Sequence, residues 1–515
     1  MNSTITPALT PLRTFAALAL VLSTVACGDD ESGSDQGTSN ATNNNTTGLT
    51  SNNTSNTSNT TTGPTSNAPV VETDFPISYV ALNRSEVPGI DPGGDLMITL
   101  SDNSAEVKVN PDDVECDAGC TVSDDLQWFV WQDSTTRALN VAPITNIGFD
   151  GATIDMGSMS TIGEDIRTWS VAGSRILWVS SSFEALTSEL PGTNAVSLGS
   201  LGQADQTTGG IYLGPGGRRA ITWTLPGLTA MELSLHSFDG ASSIGDFYTF
   251  RSDGFGGTGS FYGSRERMAI SPDGRYLAVI TRGLTDTTPC SADTDCLATE
   301  QCGASGRCTS QRLVLNMIDF NDVDKLNGAC TSDGECGTSH FCDFANPSDP
   351  NSGRCLAGRL DLGASGPNDC TNRQDGEFTE VRDTLVWSPD STTVYLLAAE
   401  DCARFNIART AILKTDPTLM PPTAVIENSG ADWDGNACFD ASEMEFDVGR
   451  EGCVVDIVEF NLAPTGNTVV FSASSPKAAT NFELYTIDIN GSRDKEWLTD
   501  SLETTVRSLK PLEDL

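Results

Sequence analysis

The sequence predicts an all-β fold, a β-propeller of about seven four-stranded blades, with six or eight blades also fitting the spacing. Two observations predict it. The first is a recurring hairpin. Met268-Ala269-Ile270 runs into Ser271-Pro272-Asp273-Gly274, and an apolar strand from Tyr276 to Ile280 runs out. Pro presets φ for the turn, Asp or Gly accepts its awkward backbone, and β-branched and aromatic residues flank it. Echoes are Leu385–Ser391 leading to Val394–Leu397, and Phe460–Gly466 leading to Val469–Phe471. The second observation is the period. The third turn residues are Gly94, Ser134, Gly173, Gly217, Gly274, Ser391 and Gly466. The first four are spaced by 40, 39 and 44 residues, the length of one blade. Later gaps of 57, 117 and 75 predict insertions in the second half.

A later strand repeats as well. Phe482–Ile489 leads to Asn490-Gly491-Ser492 and Trp497-Leu498-Thr499, and Glu232–Phe238 leads to Asp239-Gly240. With the hairpins, these segments resemble the TolB-like, WD40-like (PD40) propeller repeat over residues 75–515, most clearly after about residue 205. The resemblance implies a propeller and does not imply TolB's partners. Such rings need their ends joined, so Val506-Arg507-Ser508-Leu509 is expected to pair with the N-terminal strands.

Two segments precede the repeats. Residues 1–26 read as a signal peptide: Arg13, then an apolar run from Thr14 to Ala26 too short to span a bilayer. Leu22–Cys27 resembles a bacterial lipoprotein lipobox, although Thr24 and Val25 depart from its preferred residues, and Thr24-x-Ala26 also suits ordinary signal cleavage. Cys27 is the expected lipid-attachment residue. Of 15 cysteines, its removal leaves 15 − 1 = 14, an even number that can all pair. Gly28, not Asp, follows it, which favours the outer membrane, on its periplasmic or surface face. Residues 28–68 are mostly Asn, Thr, Ser and Gly. They cannot bury enough apolar surface to order themselves, and read as a tether spanning about 35 Å. The propeller then occupies residues 69–515.

The formal charge of −41 disfavours nucleic acid and anionic lipid, which are met with Lys and Arg. Membrane contact is expected through the lipid alone, and the chain is expected to be a monomer.

Two cysteine-rich inserts share one spacing. Cys290, Cys296, Cys302 and Cys308 fall six positions apart; Cys330, Cys336 and Cys342 repeat this, and Cys355 closes. Both inserts carry an acid before the second cysteine, Asp295 and Glu335, and both end Gly-Arg-Cys. The gaps exceed the usual zinc spacing, which favours disulfide-stapled modules at 290–308 and 330–355 with three connectivities open to each. They are expected in successive loops of one blade, on opposite rims or side by side. Recognition and stabilisation are equally compatible with that placement. Local pairs are expected for Cys116 with Cys120, Cys370 with Cys402, and Cys438 with Cys453.

Asp432 to Glu443 resembles an EF-hand-type calcium loop. Asp432, Asp434, Asn436, Asp440 and Glu443 are candidate ligands, but Ala437 replaces the turn glycine. Calcium is the one candidate cofactor. Gly254–Gly259 fits G-x-G-x-x-G, yet a strand follows where a dinucleotide site needs a helix. No G-x-S-x-G elbow occurs, and the two histidines, His236 and His340, fall in a strand and in a cysteine module. Trp131, Trp178, Trp223 and Trp387 lie in strands and read as core. The expected activity is binding of an envelope protein through a rim face. The alternatives are a propeller enzyme of lyase, lactonase or glycosidase type using channel carboxylates, and a structural surface protein.

Overall fold

The computed structural model describes residues 75–512, apart from 84–93, 103, 113, 117–118, 150–152, 203–208, 225–229, 241–242, 252–267, 290, 293–294, 296–300, 303–306, 345–352, 365–379, 401–408, 421, 428–438, 441–444, 447–454, 476–477, 490–494 and 498–503. The described strands form a seven-bladed propeller of antiparallel sheets. Blade 1 is composite: Thr504–Pro511 comes first, followed by Pro76–Asn83, Gly94–Leu100 and Glu106–Lys108. Blade 2 holds Cys120–Val122, Trp128–Gln132, Leu139–Gly148 and Thr153–Met156, with Ser160–Gly163 added against Leu139–Gly148. Blade 3 runs Thr168–Ala172, Arg175–Val179, Glu184–Glu189 and Thr193–Ser200. Blade 4 runs Gly210–Leu213, Arg219–Thr224, Ala230–Ser237 and Ile244–Arg251. Blade 5 runs Met268–Ile270, Tyr276–Pro289, Arg307–Asp319 and Gly353–Ala364. Blade 6 runs Glu380–Trp387, Val394–Glu400, Arg409–Thr415 and Thr423–Glu427. Blade 7 runs Val455–Leu462, Thr468–Ser475, Ala478–Asp488 and Lys495–Trp497.

The hydrophobic core is not central. Among the described residues it is divided into clusters that lie between adjacent blades, apart from one of four cysteines within blade 5. Alternation along the strands explains this. In Val394–Ala398, Val394, Leu396 and Ala398 pack towards blade 5, while Tyr395 and Leu397 pack towards blade 7. In blade 5, Leu277 and Val279 face blade 4, and Tyr276, Ala278 and Ile280 face blade 6. A strand buried on both faces reads as an unbroken apolar run, as these do. The four strand tryptophans are core: Trp131, Trp178, Trp223 and Trp387 are all buried. Trp387 also donates its indole N–H to Ala269 O of blade 5 at 2.9 Å and stacks on Tyr276.

The C-terminal strand closes the ring. It pairs with Pro76–Asn83 from Ile77↔Pro511 to Asn83↔Thr504. A blade 7 to blade 1 cluster of Phe75, Ile77, Tyr79, Ala463, Val470 and Leu484 seals the joint.

The turns between first and second strands in blades 2, 5 and 6 share one construction. Ser271 Oγ donates to Asp273 Oδ1 at 2.5 Å, Ser388 Oγ to Asp390 Oδ1 at 2.6 Å, and Ser123 Oγ to Asp125 Oδ1 at 2.6 Å. Each serine carbonyl then accepts from the residue three positions on, Gly274, Ser391 or Leu126, each with positive φ. The period expected from the sequence is corrected here. Gly94 begins the third strand of blade 1, and Ser134 lies between the second and third strands of blade 2. Two kinds of turn therefore share that spacing. The equivalent turn of blade 2 is Ser123–Leu126, hidden because a leucine takes the left-handed position that glycine usually fills.

These turns touch one another around one face of the ring. Lys510 Nζ lies 2.6 Å from Asp124 Oδ1, and the other Asp124 oxygen accepts from Gly173 N–H. Arg219 donates to Gly274 O, and Asp273 N–H donates to Ser391 Oγ at 3.0 Å. Deleting residues 504–515 is expected to abolish the single cooperative thermal transition. Amide exchange should then accelerate first in blades 1 and 7, read by hydrogen-exchange mass spectrometry.

Candidate functional site

The two cysteine modules occupy successive connections of blade 5. The first joins the second and third strands, and the second joins the third and fourth. Because those strands are antiparallel, the modules lie at opposite ends of the blade. The second module shares its face with the first-to-second-strand turns, where Phe320 N–H donates to Arg275 O at 2.8 Å.

Cys330 bonds Cys342 and Cys336 bonds Cys355 in the second module, a first-to-third, second-to-fourth pattern that spacing alone left open. All four are buried and form their own small core. The sulfurs of Cys330, Cys336 and Cys342 lie within 4.8 Å of one another, a proximity that the two adjacent disulfides account for. The acid before the second cysteine has a defined task. Glu335 accepts from Thr331 N–H at 3.0 Å and Thr331 Oγ1 at 2.5 Å. Asp295 in the first module does the same for Ser291, from N–H and Oγ, both at 2.8 Å. Those bonds hold both carboxyls below their ordinary range: the Thr331 hydroxyl leads for Glu335, the Ser291 N–H for Asp295. The duplicated acid is a clamp on the residue after the first cysteine.

An ion pair between a buried carboxylate and a half-exposed guanidinium seats the second module. Asp319 closes the third strand with its side chain fully buried, and Arg275 reaches it at 2.7 Å from Nη2 and 3.1 Å from Nε. Asp319 Oδ1 also caps the following turn by accepting from Asn321 N–H at 2.9 Å. Asp319 N–H donates to His340 Nε2 at 3.1 Å. Nε2 is therefore the acceptor, and the Nδ1–H donates to Cys336 O at 3.1 Å. Neighbouring blades hold the module as well. Ala357 N–H donates to Tyr248 Oη of blade 4 at 3.3 Å, and Phe320 meets Phe247 edge-on. Ser339 Oγ donates to Pro417 O of blade 6 at 3.1 Å. The second module thus ties three blades together, and its residues 331–335 remain exposed.

Of the other expected site residues, Cys116 and Cys120 are disulfide-bonded within the blade 1 to blade 2 core. Cys302 and Cys308 are opposite in a short ladder. Asp440 pairs in register with Glu445 in a two-residue hairpin. Cys27, Cys290, Cys296, Cys370, Cys402, Cys438, Cys453, Asp432, Asp434, Asn436, Glu443 and the Gly254–Gly259 run lie outside the described residues. His236 sits in blade 4 with Nε2 at 2.9 Å from Thr222 Oγ1. One expectation needs correction: the strand read from Tyr276 to Ile280 does not stop before the first module but continues to Pro289.

No family model matches the chain. No curated protein matches its sequence. Among solved structures, it is similar to a 6-phosphogluconolactonase-like protein of Bacteroides uniformis, with 11% identity, a TM-score of 0.42, and coverage of 84% of this chain and 99% of that one. It is also similar to TolB of Acinetobacter baumannii, at 12% identity and a TM-score of 0.31, covering 67% of this chain and 61% of that one. The tricorn protease is matched at 11% identity and a TM-score of 0.42, over 85% of this chain and 36% of that one. These likenesses of chain path carry neither activity nor partner to this protein.

Arg275→Ala strands the buried Asp319 carboxylate, with only Asn321 left to it. A loss of about 1 to 2 kcal/mol is expected in urea unfolding, less than for a fully buried pair because the Arg275 side is open to water, with proteolysis first entering residues 331–344. The histidines predict a pH dependence. Burial holds both imidazoles below the ordinary 6.5. As pH falls through about 6.5 the unfolded chain gains protons that the folded chain does not, so stability is full above that value and declines below it. The urea midpoint should fall between about pH 7 and about pH 5, and less steeply in His340→Gln.

Proposed function

We propose that this chain is a cell-envelope lipoprotein of bacterial type, anchored through Cys27, whose propeller is a rigid scaffold for binding an envelope protein. The observation that carries the reading is the mounting of two cysteine-rich modules, the second stapled by two disulfides, on one blade of a closed ring. Loops that recognise partners work best when a stiff frame holds them. The apolar run ending at Ala26-Cys27 and the Asn/Thr/Ser-rich tether of residues 28–68 support the anchor and its reach. The net charge of −41 supports membrane contact through lipid rather than through the protein surface. Both histidine rings are engaged in folding contacts, to Thr222 for His236 and to Asp319 and Cys336 for His340, which favours binding over histidine-based catalysis.

Two measurements test this together. Cys27→Ala should lose incorporation of labelled palmitate and shift the protein from the membrane to the soluble fraction. Crosslinking in native membranes should join the intact protein to one defined envelope protein, and deletion of 290–308 with 330–355 should remove that link. Retention of the label in Cys27→Ala defeats the anchor; equal crosslinking by the deletion variant defeats recognition by the modules.

A further inference from the structure

We propose that the second cysteine module is a thiol–disulfide exchange site: a reductant thiol opens the Cys330–Cys342 bond, and the freed thiolate attacks Cys336 and expels Cys355. The inference goes beyond the scaffold reading and needs neither the lipid anchor nor a bound partner.

Topology brings the sulfurs together. The two bonds interleave, Cys330 with Cys342 and Cys336 with Cys355, so Cys336 lies inside the loop that the first bond closes. The sulfurs of Cys330, Cys336 and Cys342 are all within 4.8 Å of one another, and Cys336 is the one of the three held in the other bond. The four cysteines form a cluster with no other hydrophobic member among the described residues. One disulfide is therefore the neighbour of the other.

The setting of each bond gives the order of attack. Cys330 leads into the exposed run of residues 331–335, and Cys342 N–H is held by Asp333 of that run at 2.8 Å. Cys342 keeps 6% of its surface, against none for Cys336. Cys336 is walled in by His340, whose Nδ1–H donates to its carbonyl. Cys355 is bound on both sides of its backbone: Asn327 N–H donates to Cys355 O at 2.8 Å, and Cys355 N–H donates to Gly328 O at 2.9 Å. A reductant meets the Cys330–Cys342 bond first.

A thiolate attacks one sulfur of a disulfide and displaces the other. A reductant thiolate, RS⁻, attacks Cys342 Sγ. An RS–S bond to Cys342 forms, the Cys330–Cys342 bond breaks, and Cys330 Sγ keeps the electron pair. Cys330 Sγ then attacks Cys336 Sγ. A Cys330–Cys336 bond forms, the Cys336–Cys355 bond breaks, and Cys355 Sγ leaves with the pair and takes a proton from solvent. A second reductant thiolate displaces Cys342, which is protonated in turn, and RS–SR is released. Two thiols are oxidised, one protein disulfide is reduced, and the one that remains is at Cys336. Entry at Cys330 leaves a Cys336–Cys342 bond by the same steps. On either route Cys355 ends free. It lies two residues before Ala357, whose N–H reaches Tyr248 of blade 4, so exchange unties the root of the module from a tip that stays looped.

The test uses the full-length protein and dithiothreitol, raised until cysteines of the module first become reactive. Free thiols are trapped with N-ethylmaleimide. Cleavage after Glu335 and Arg354 places Cys330, Cys336 with Cys342, and Cys355 on three peptides, and tandem mass spectrometry assigns the label. The expected first product carries label on Cys355 and on either Cys330 or Cys342, with none on Cys336. In Cys330→Ser with Cys342→Ser, which removes both attacking sulfurs, the same dithiothreitol should label Cys355 at least about tenfold less. Should that variant not fold, the pattern in the unaltered protein decides alone. Label on Cys330 and Cys342 with Cys355 silent overturns the proposal, because the outer bond then opens without exchange. Any label on Cys336 at that stage overturns it too, as does an equal yield of labelled Cys355 in the double variant. None of these results bears on the scaffold reading.

Discussion

The fold depends on one backbone ladder, the pairing of Thr504–Pro511 with Pro76–Asn83. Every blade in this ring is sandwiched, and its two faces serve two different neighbours. The cluster between blades 7 and 1 exists only if that ladder forms. Without it, two blades expose apolar faces that the other five bury. A core made of inter-blade clusters has no independent centre to fall back on, so closure is a condition of the whole rather than a finishing detail.

Much of this was legible in the sequence because the repeat unit is a local one. Ser271–Gly274 and Ser388–Ser391 announce a hairpin through residues adjacent in the chain, and the apolar runs beyond them announce burial on both sides. The phase of the early blades was less legible. Gly94 and Ser134 sit in turns of the right length at the wrong connection, and the turn at Ser123–Leu126 lacks its glycine. Its Ser-x-Asp pair carries the construction regardless, through the hydroxyl-to-carboxylate bond that the other two turns share. That spacing is the better marker, because it reports the bonds that make the turn and not only the residue that tolerates it.

The cysteine modules show the same division. Their duplication and the clamp acids Asp295 and Glu335 are visible as pattern, since each clamp spans four residues. The pairing of Cys330 with Cys342 and Cys336 with Cys355 follows from how three strands cross, which spacing does not encode. The seat is less visible still. Arg275 and Asp319 are 44 residues apart and look like ordinary surface charges until the strand pairing brings Tyr276 opposite Asp319. His340 likewise reads as a lone polar residue, and becomes a hinge pin only where Asp319 N–H meets it. The second module is held among three blades, while the first joins the second and third strands at the opposite end of blade 5.

The composite blade also sets a timetable. Its second strand ends at Asn83 and its first begins at Thr504, so 504 − 83 = 421 residues separate the two partners in order of synthesis. At ordinary translation rates that is roughly 20 to 80 s during which the N-terminal sheet has an open edge and one uncovered apolar face. A nascent chain of this design accumulates finished blades while its first remains incomplete. It therefore needs a holding factor, or a delay before folding, that a protein with its closing strand near the front would not.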